Sequence, residues 1–141
     1  MKVMIHRQIL KDIEEWSKRP NRKPLVLRGA RQVGKTTLVD EFGKQFDIYI
    51  KLNLAQSADA AIFGMTDDVN SVLQYLSLQN NVQMDSGKRV LLFIDEIQNE
   101  PKAVGLLRYF YEQLPWLHVI AAGSRLQTLI KQRISFPVGR V

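Results

Sequence analysis

The chain has 141 residues, 45% hydrophobic and 24% charged, which is one domain's worth of ordinary globular composition and excludes a disordered chain. It contains no cysteine, which excludes a disulfide framework, a zinc–thiolate site and thiol catalysis. The net charge is +6, and the whole excess lies early: residues 1–51 hold twelve basic and six acidic side chains, and residues 52–141 hold eight of each.

No apolar run approaches the roughly 18 residues needed to span a bilayer. The N-terminus, MKVMIHRQILKDIEEW, mixes charges through its apolar residues, which is not the pattern of a secretory signal. The expectation is a soluble, cytoplasmic protein with no membrane partner. The absence of cysteine fits a reducing compartment.

In chain order, Ile5, Ile9, Ile13 and Trp16 share one face at helical spacing and predict an amphipathic helix over 4–18. Arg19-Pro20-Asn21 ends it. Pro24 to Arg28 reads as a buried strand, Gly29 to Gly34 as a glycine-bounded loop, and Lys35 to about Gln45 as a helix. Asp47 to Asn53 is rich in β-formers and predicts a second strand. Residues 56–63 and 69–79 read as helices. Gln79 to Lys88 is a polar loop, expected to move. Val90 to Ile94 is a continuous apolar run of the parallel-strand type. Pro101 suits the first position of a helix that Pro115 stops. Leu117 to Ala122 predicts a fourth strand, 124–132 a helix, and Phe136 to Val141 a fifth strand. This alternation implies an α/β fold with a parallel sheet and helices on both faces.

The string Gly29-Ala30-Arg31-Gln32-Val33-Gly34-Lys35-Thr36 matches G-x-x-x-x-G-K-[ST], after a buried strand and opening a helix. Such a loop curls its backbone N–H groups toward phosphate oxygens, and the helix N-terminus adds partial positive charge. The reading gives Gly29, Ala30, Arg31, Gln32, Val33, Gly34, Lys35, Thr36 and Thr37 as the phosphate-binding residues. Lys35 would reach the β- and γ-phosphates, and the Thr36 hydroxyl would ligate magnesium.

A second element is Val90-Leu-Leu-Phe-Ile94-Asp95-Glu96, an apolar strand ending in two carboxylates. Open α/β sheets bind ligands at the carboxyl ends of their strands. Asp95 would hold magnesium, directly or through water, and Glu96 would act on the attacking water as general base. A third element is Val119-Ile-Ala-Ala-Gly123-Ser124. Ser124 either points at the γ-phosphate, if its strand lies between the other two, or caps the helix that follows.

Lys18, Arg19, Arg22, Lys23, Arg28, Arg31 and Lys35 run without one acid between Glu15 and Asp40. Such a run suits nucleic acid or a polyphosphate, and it is also what a solvated face looks like. His6 and His118 lack partners at metal spacing and read as structural or surface residues. Trp16 and Trp116 read as core or interface anchors. Arg140 reads as a charged strand end or as an arginine finger acting on a neighbouring subunit.

On these residues the sequence resembles the AAA+ superfamily, in the additional-strand, catalytic-glutamate branch of P-loop ATPases. More narrowly it is similar to the archaeal-ATPase-like group. The resemblance rests on the Ile5-x-Arg7 helix, Leu27 to Leu38, Phe93-Ile-Asp-Glu-Ile-Gln98, Ala122-Gly-Ser124 and Phe136-Pro-Val-Gly-Arg140. It implies a three-layer αβα sandwich with a five-stranded parallel sheet in the order 5-1-4-3-2, and Ser124 at a sensor position. It implies ATP and Mg2+ as cofactors, and Glu96, Lys35 and Ser124 as the catalytic set. Residues 1–141 then form one ATPase domain, expected to be the N-terminal part of a longer protein. A C-terminal domain or other subunits would supply the arginine finger. Two functions follow: a magnesium-dependent ATPase, or a nucleotide-gated binding module with little turnover whose basic third holds DNA. No Asn-Lys-x-Asp string for reading guanine occurs in the sequence.

Overall fold

A computed structural model of the chain describes residues 2–28, 34–123 and 138–140. The elements run α1 (Lys2–Ser17), β1 (Leu25–Arg28), α2 (Lys35–Gly43), β2 (Ile48–Asn53), α3 (Ser57–Gly64), α4 (Val69–Gln79), β3 (Val90–Asp95), a 3₁₀ turn (Ile97–Asn99), α5 (Pro101–Gln113), β4 (His118–Gly123) and β5 (Val138–Arg140). The expected helix over 124–132 lies outside the described residues. No described helix is long and apolar enough to cross a membrane.

The body of the sheet is four parallel strands in the order β2-β3-β4-β1. A fifth parallel strand, β5, pairs with β1 at the edge, and of the expected 136–141 the described residues are 138–140. The pairing outside β1 is a three-residue strip, in which Val138, Gly139 and Arg140 lie opposite Val26, Leu27 and Arg28.

Period-two alternation sorts the strand side chains onto two faces. Leu25, Leu27, Leu91, Phe93, Ile120 and Ala122 meet Ile13 and Trp16 of α1 and Leu38, Val39 and Phe42 of α2. On the other face Val26, Ile50, Leu52, Val90, Leu92, Ile94, Val119 and Ala121 meet α3, α4 and α5 through Ile62, Phe63, Val72, Leu76, Val104, Leu107 and Phe110. Strands buried on both faces explain why β3 reads as an unbroken apolar run: Val90 to Ile94 are all buried. Each large apolar side chain buried this way contributes about 1.5–3 kcal/mol.

Local chemistry sets the ends of the elements. Asp68 caps α4 by accepting from the Asn70 N–H at 3.0 Å. Glu100 caps α5, with Pro101 in the first turn, where its missing N–H costs nothing. Trp16 Nε1 donates to the Lys23 carbonyl at 2.7 Å, pinning the chain between α1 and β1. The polar stretch after α4 is a loop, as expected, but it is tied down. Met84 is buried in the core, and Asp85 closes an Asx-turn onto the Gly87 N–H at 2.9 Å.

Candidate functional site

Strand order brings three carboxyl ends together. β4 lies between β3 and β1, with Ile94 opposite Ala121 and Arg28 opposite Gly123. β1 therefore runs into the glycine loop, and β3 ends in the acidic pair, at the same end of the sheet. This is where the chain connection changes sides, the usual location of a ligand crevice in open parallel sheets. The condition set for Ser124, a strand lying between the other two, is met by β4. Ser124 itself lies outside the described residues, as do Gly29, Ala30, Arg31, Gln32 and Val33.

The loop's last residue, Gly34, has φ 138° and ψ −26°, backbone that L side chains rarely adopt. Its carbonyl accepts the first α2 bond, from the Leu38 N–H at 2.8 Å. Lys35 follows with only 8% exposure, a charge held at the helix start rather than displayed to solvent. Thr36 is half-buried and Thr37 exposed.

Thr36 Oγ1 donates to Asp95 Oδ2 at 3.2 Å, linking the start of α2 to the end of β3 across 59 positions. The other carboxylate oxygen, Oδ1, accepts the Glu96 N–H at 2.9 Å. That second bond goes with a sharp change of direction. Glu96 sits at φ 52° and ψ 43°, left-handed backbone that is uncommon for a residue with a side chain. The chain thus leaves β3 abruptly, and the Glu96 side chain does not continue the strand's alternation. Gln98 Nε2, in the 3₁₀ turn, donates to Glu96 Oε2 at 3.0 Å. Asp95 is further framed by β2: Asn53 is its Cα partner, and the Leu54 N–H donates to the Asp95 carbonyl at 2.9 Å.

A hydroxyl and a carboxylate in contact form a hard-oxygen donor set of the kind magnesium accepts alongside water and phosphate oxygens. Among the described residues no group of three or more His, Cys, Asp or Glu is placed to hold a metal. An all-protein cage is therefore not formed by those residues, and Thr36 with Asp95 is the pair that fits the cation.

The basic run of the sequence is divided by the fold rather than laid along one face. Lys18 and Arg19 are exposed, and Lys35 is buried at the crevice. Lys23 lies 5.8 Å over the Tyr111 ring. Arg22 turns inward: its Nη2 donates to the Pro115 and Trp116 carbonyls at 3.2 and 3.0 Å and lies 3.3 Å from His118 Nδ1. Since a guanidinium only donates, His118 Nδ1 accepts, and Nε2–H is left to donate to the Ser17 carbonyl at 3.3 Å. The neutral imidazole packs edge-on against Trp16 and Phe46. Burial first, and then the Arg22 charge, push the His118 pKa down from 6.5 to about 4. Both Trp16 and His118 are thus structural. They lie at the opposite end of the sheet from the acidic pair.

Sequence reading missed Gln98 as a partner of Glu96. A two-residue spacing brings side chains together only when the backbone turns between them, and that turn depends on the left-handed Glu96.

A family model described as an AAA domain matches residues 21–141. No curated protein matches the chain.

Proposed function

The chain belongs to the AAA domain family, and we propose that it is a magnesium-dependent ATPase of the archaeal-ATPase-like group. Family membership implies nucleotide binding. The reading of hydrolysis rests on one observation above the others: the Thr36 hydroxyl and the Asp95 carboxylate are in hydrogen-bond contact at the carboxyl end of the sheet.

In this reading the backbone from Gly29 to Gly34 cradles the phosphates, Lys35 neutralises the β- and γ-phosphate oxygens, and Thr36 and Asp95 hold Mg2+. The cation supplies charge neutralisation on the phosphate oxygens when bound. Glu96 accepts a proton from water as the water oxygen bonds to the γ-phosphorus. The bond from that phosphorus to the β–γ bridging oxygen breaks, and ADP and phosphate leave. Water is the favoured acceptor because a carboxylate positioned beside the acidic strand end suits hydrolysis. Adenine is favoured over guanine by the family resemblance and by the missing Asn-Lys-x-Asp string. A finger arginine from another subunit or domain raises a rate that is slow in the isolated chain.

The test is phosphate release from Mg·ATP by the chain and by Glu96→Gln at matched concentration. Turnover that disappears in Glu96→Gln, with nucleotide still bound, supports the reading. Turnover equal in both removes Glu96 as the base. Binding without release from either leaves a nucleotide-gated module as the function.

A further inference from the structure

We propose that Gln98 is a positioning residue for Glu96, an inference that rests on the ATPase reading above. Its amide holds the carboxylate in the orientation that meets water.

Three observations carry this. First, Gln98 Nε2 donates to Glu96 Oε2 at 3.0 Å. In that bond the amide nitrogen faces the Glu96 side chain, which sets the orientation of the amide. Second, that orientation leaves the other end of the amide without a partner: Gln98 Oε1 is buried and accepts no hydrogen bond among the described residues. Third, Glu96 occupies left-handed backbone at φ 52°, which turns its side chain back toward the 3₁₀ turn that carries Gln98.

Magnitudes decide between a structural and a positioning role. The stabilisation from a hydrogen bond to a carboxylate and the cost of an unsatisfied buried carbonyl are of similar size and opposite sign. The two nearly cancel, so the amide adds little to the stability of the fold. What remains is directional: one carboxylate oxygen is tied down, and the choice of rotamers open to Glu96 is narrowed. A general base acts only when its oxygen sits within hydrogen-bond reach of the water it deprotonates.

The test compares the chain with Gln98→Met, which keeps the length of the side chain but removes both the donor and the orphan carbonyl. A second variant, Gln98→Glu, keeps the shape and turns the donor into an acceptor. Steady-state phosphate release, KM for Mg·ATP and Tm are measured. Gln98→Met should lower kcat by about 10–100-fold, a part of the roughly 10²–10⁴ that a positioned base supplies. KM should hold, and Tm should stay or rise. Gln98→Glu should lose kcat at least as far.

Unchanged kcat in Gln98→Met, with Glu96→Gln inactive, overturns this inference and leaves the ATPase reading standing. A kcat loss that tracks a fall in Tm in both variants reduces Gln98 to a structural residue. Absence of hydrolysis by the unaltered chain overturns the ATPase reading and the inference together.

Discussion

Thr36 and Asp95, 59 positions apart in the chain, meet through one hydrogen bond of 3.2 Å from hydroxyl to carboxylate. Neither side chain alone specifies a metal. Their contact places two hard oxygens at one point, where the helix start and the strand end converge. Thr36→Val should therefore lower magnesium-dependent phosphate release by about 10²–10³-fold, the usual cost of removing one fixed stabilising group. Thr36→Ser, which keeps the hydroxyl, should retain most of the rate, and chelation with EDTA should abolish it. Equal rates for Thr36→Val and the unaltered chain would contradict the assignment.

Two glycines are required for different reasons, and their alanine variants should fail differently. Gly34 stands at φ 138°, with nothing among the described residues within 4 Å of an added Cβ. Gly34→Ala should cost about 1–3 kcal/mol through backbone strain. Gly43 has no such backbone, but its added Cβ would lie 2.7 Å from the Tyr49 ring. That ring cannot swing aside freely, since Tyr49 OH donates to Asp40 at 2.7 Å. Gly43→Ala should cost about 1–3 kcal/mol by overpacking. Most of that loss should vanish when Tyr49→Ala is added, whereas the Gly34→Ala loss should not. Chemical denaturation of the single and double variants measures the difference.

His118 makes stability depend on pH in a direction set by its surroundings. Its folded pKa of about 4 lies below the ordinary 6.5, so the unfolded chain binds the extra proton more readily. Unfolding free energy should be fully supported by this residue above about pH 6.5 and decline as pH falls toward 4, by roughly 2 kcal/mol once solvent screening discounts the about 3 kcal/mol of the full shift. His118→Gln can still accept from Arg22 and donate to Ser17 but does not titrate. The difference in denaturation midpoint between it and the unaltered chain should shrink between pH 7 and 5. A constant difference over that range would sink the assignment.

If the finger arginine comes from another copy of the chain, specific activity should rise with protein concentration. A supplied finger adds about 10³–10⁵ in rate in related phosphoryl-transfer systems. Phosphate release per mole, followed across a dilution series alongside the sedimentation profile, checks this. Full specific activity at every dilution would contradict it.

Most of the architecture was legible because periodicity is a local property. The buried run Val90 to Ile94 already reads as a strand covered on both faces, and Pro101 and Pro115 bracket α5 as proline chemistry requires. The G-x-x-x-x-G-K-T string and the Asp95-Glu96 pair were legible for a related reason: phosphate and metal chemistry need particular residue types at short fixed spacings. Arg22 was less legible. In the sequence it belongs to a basic run, but the fold turns it inward against His118 and two backbone carbonyls.

The succession of strands and helices, the two-faced burial of the sheet and the residue types at the carboxyl ends of β1 and β3 were readable before folding. Each of these follows from side-chain chemistry over a few neighbouring positions. Three relationships are visible only in the folded chain: β4 lying between β1 and β3, an order the family resemblance implied, the contact of Thr36 with Asp95, and the hydrogen bond from Gln98 to Glu96. The first two depend on strand pairing between distant segments. The third depends on one left-handed residue at the end of β3, a backbone state held by its surroundings rather than by the preference of glutamate.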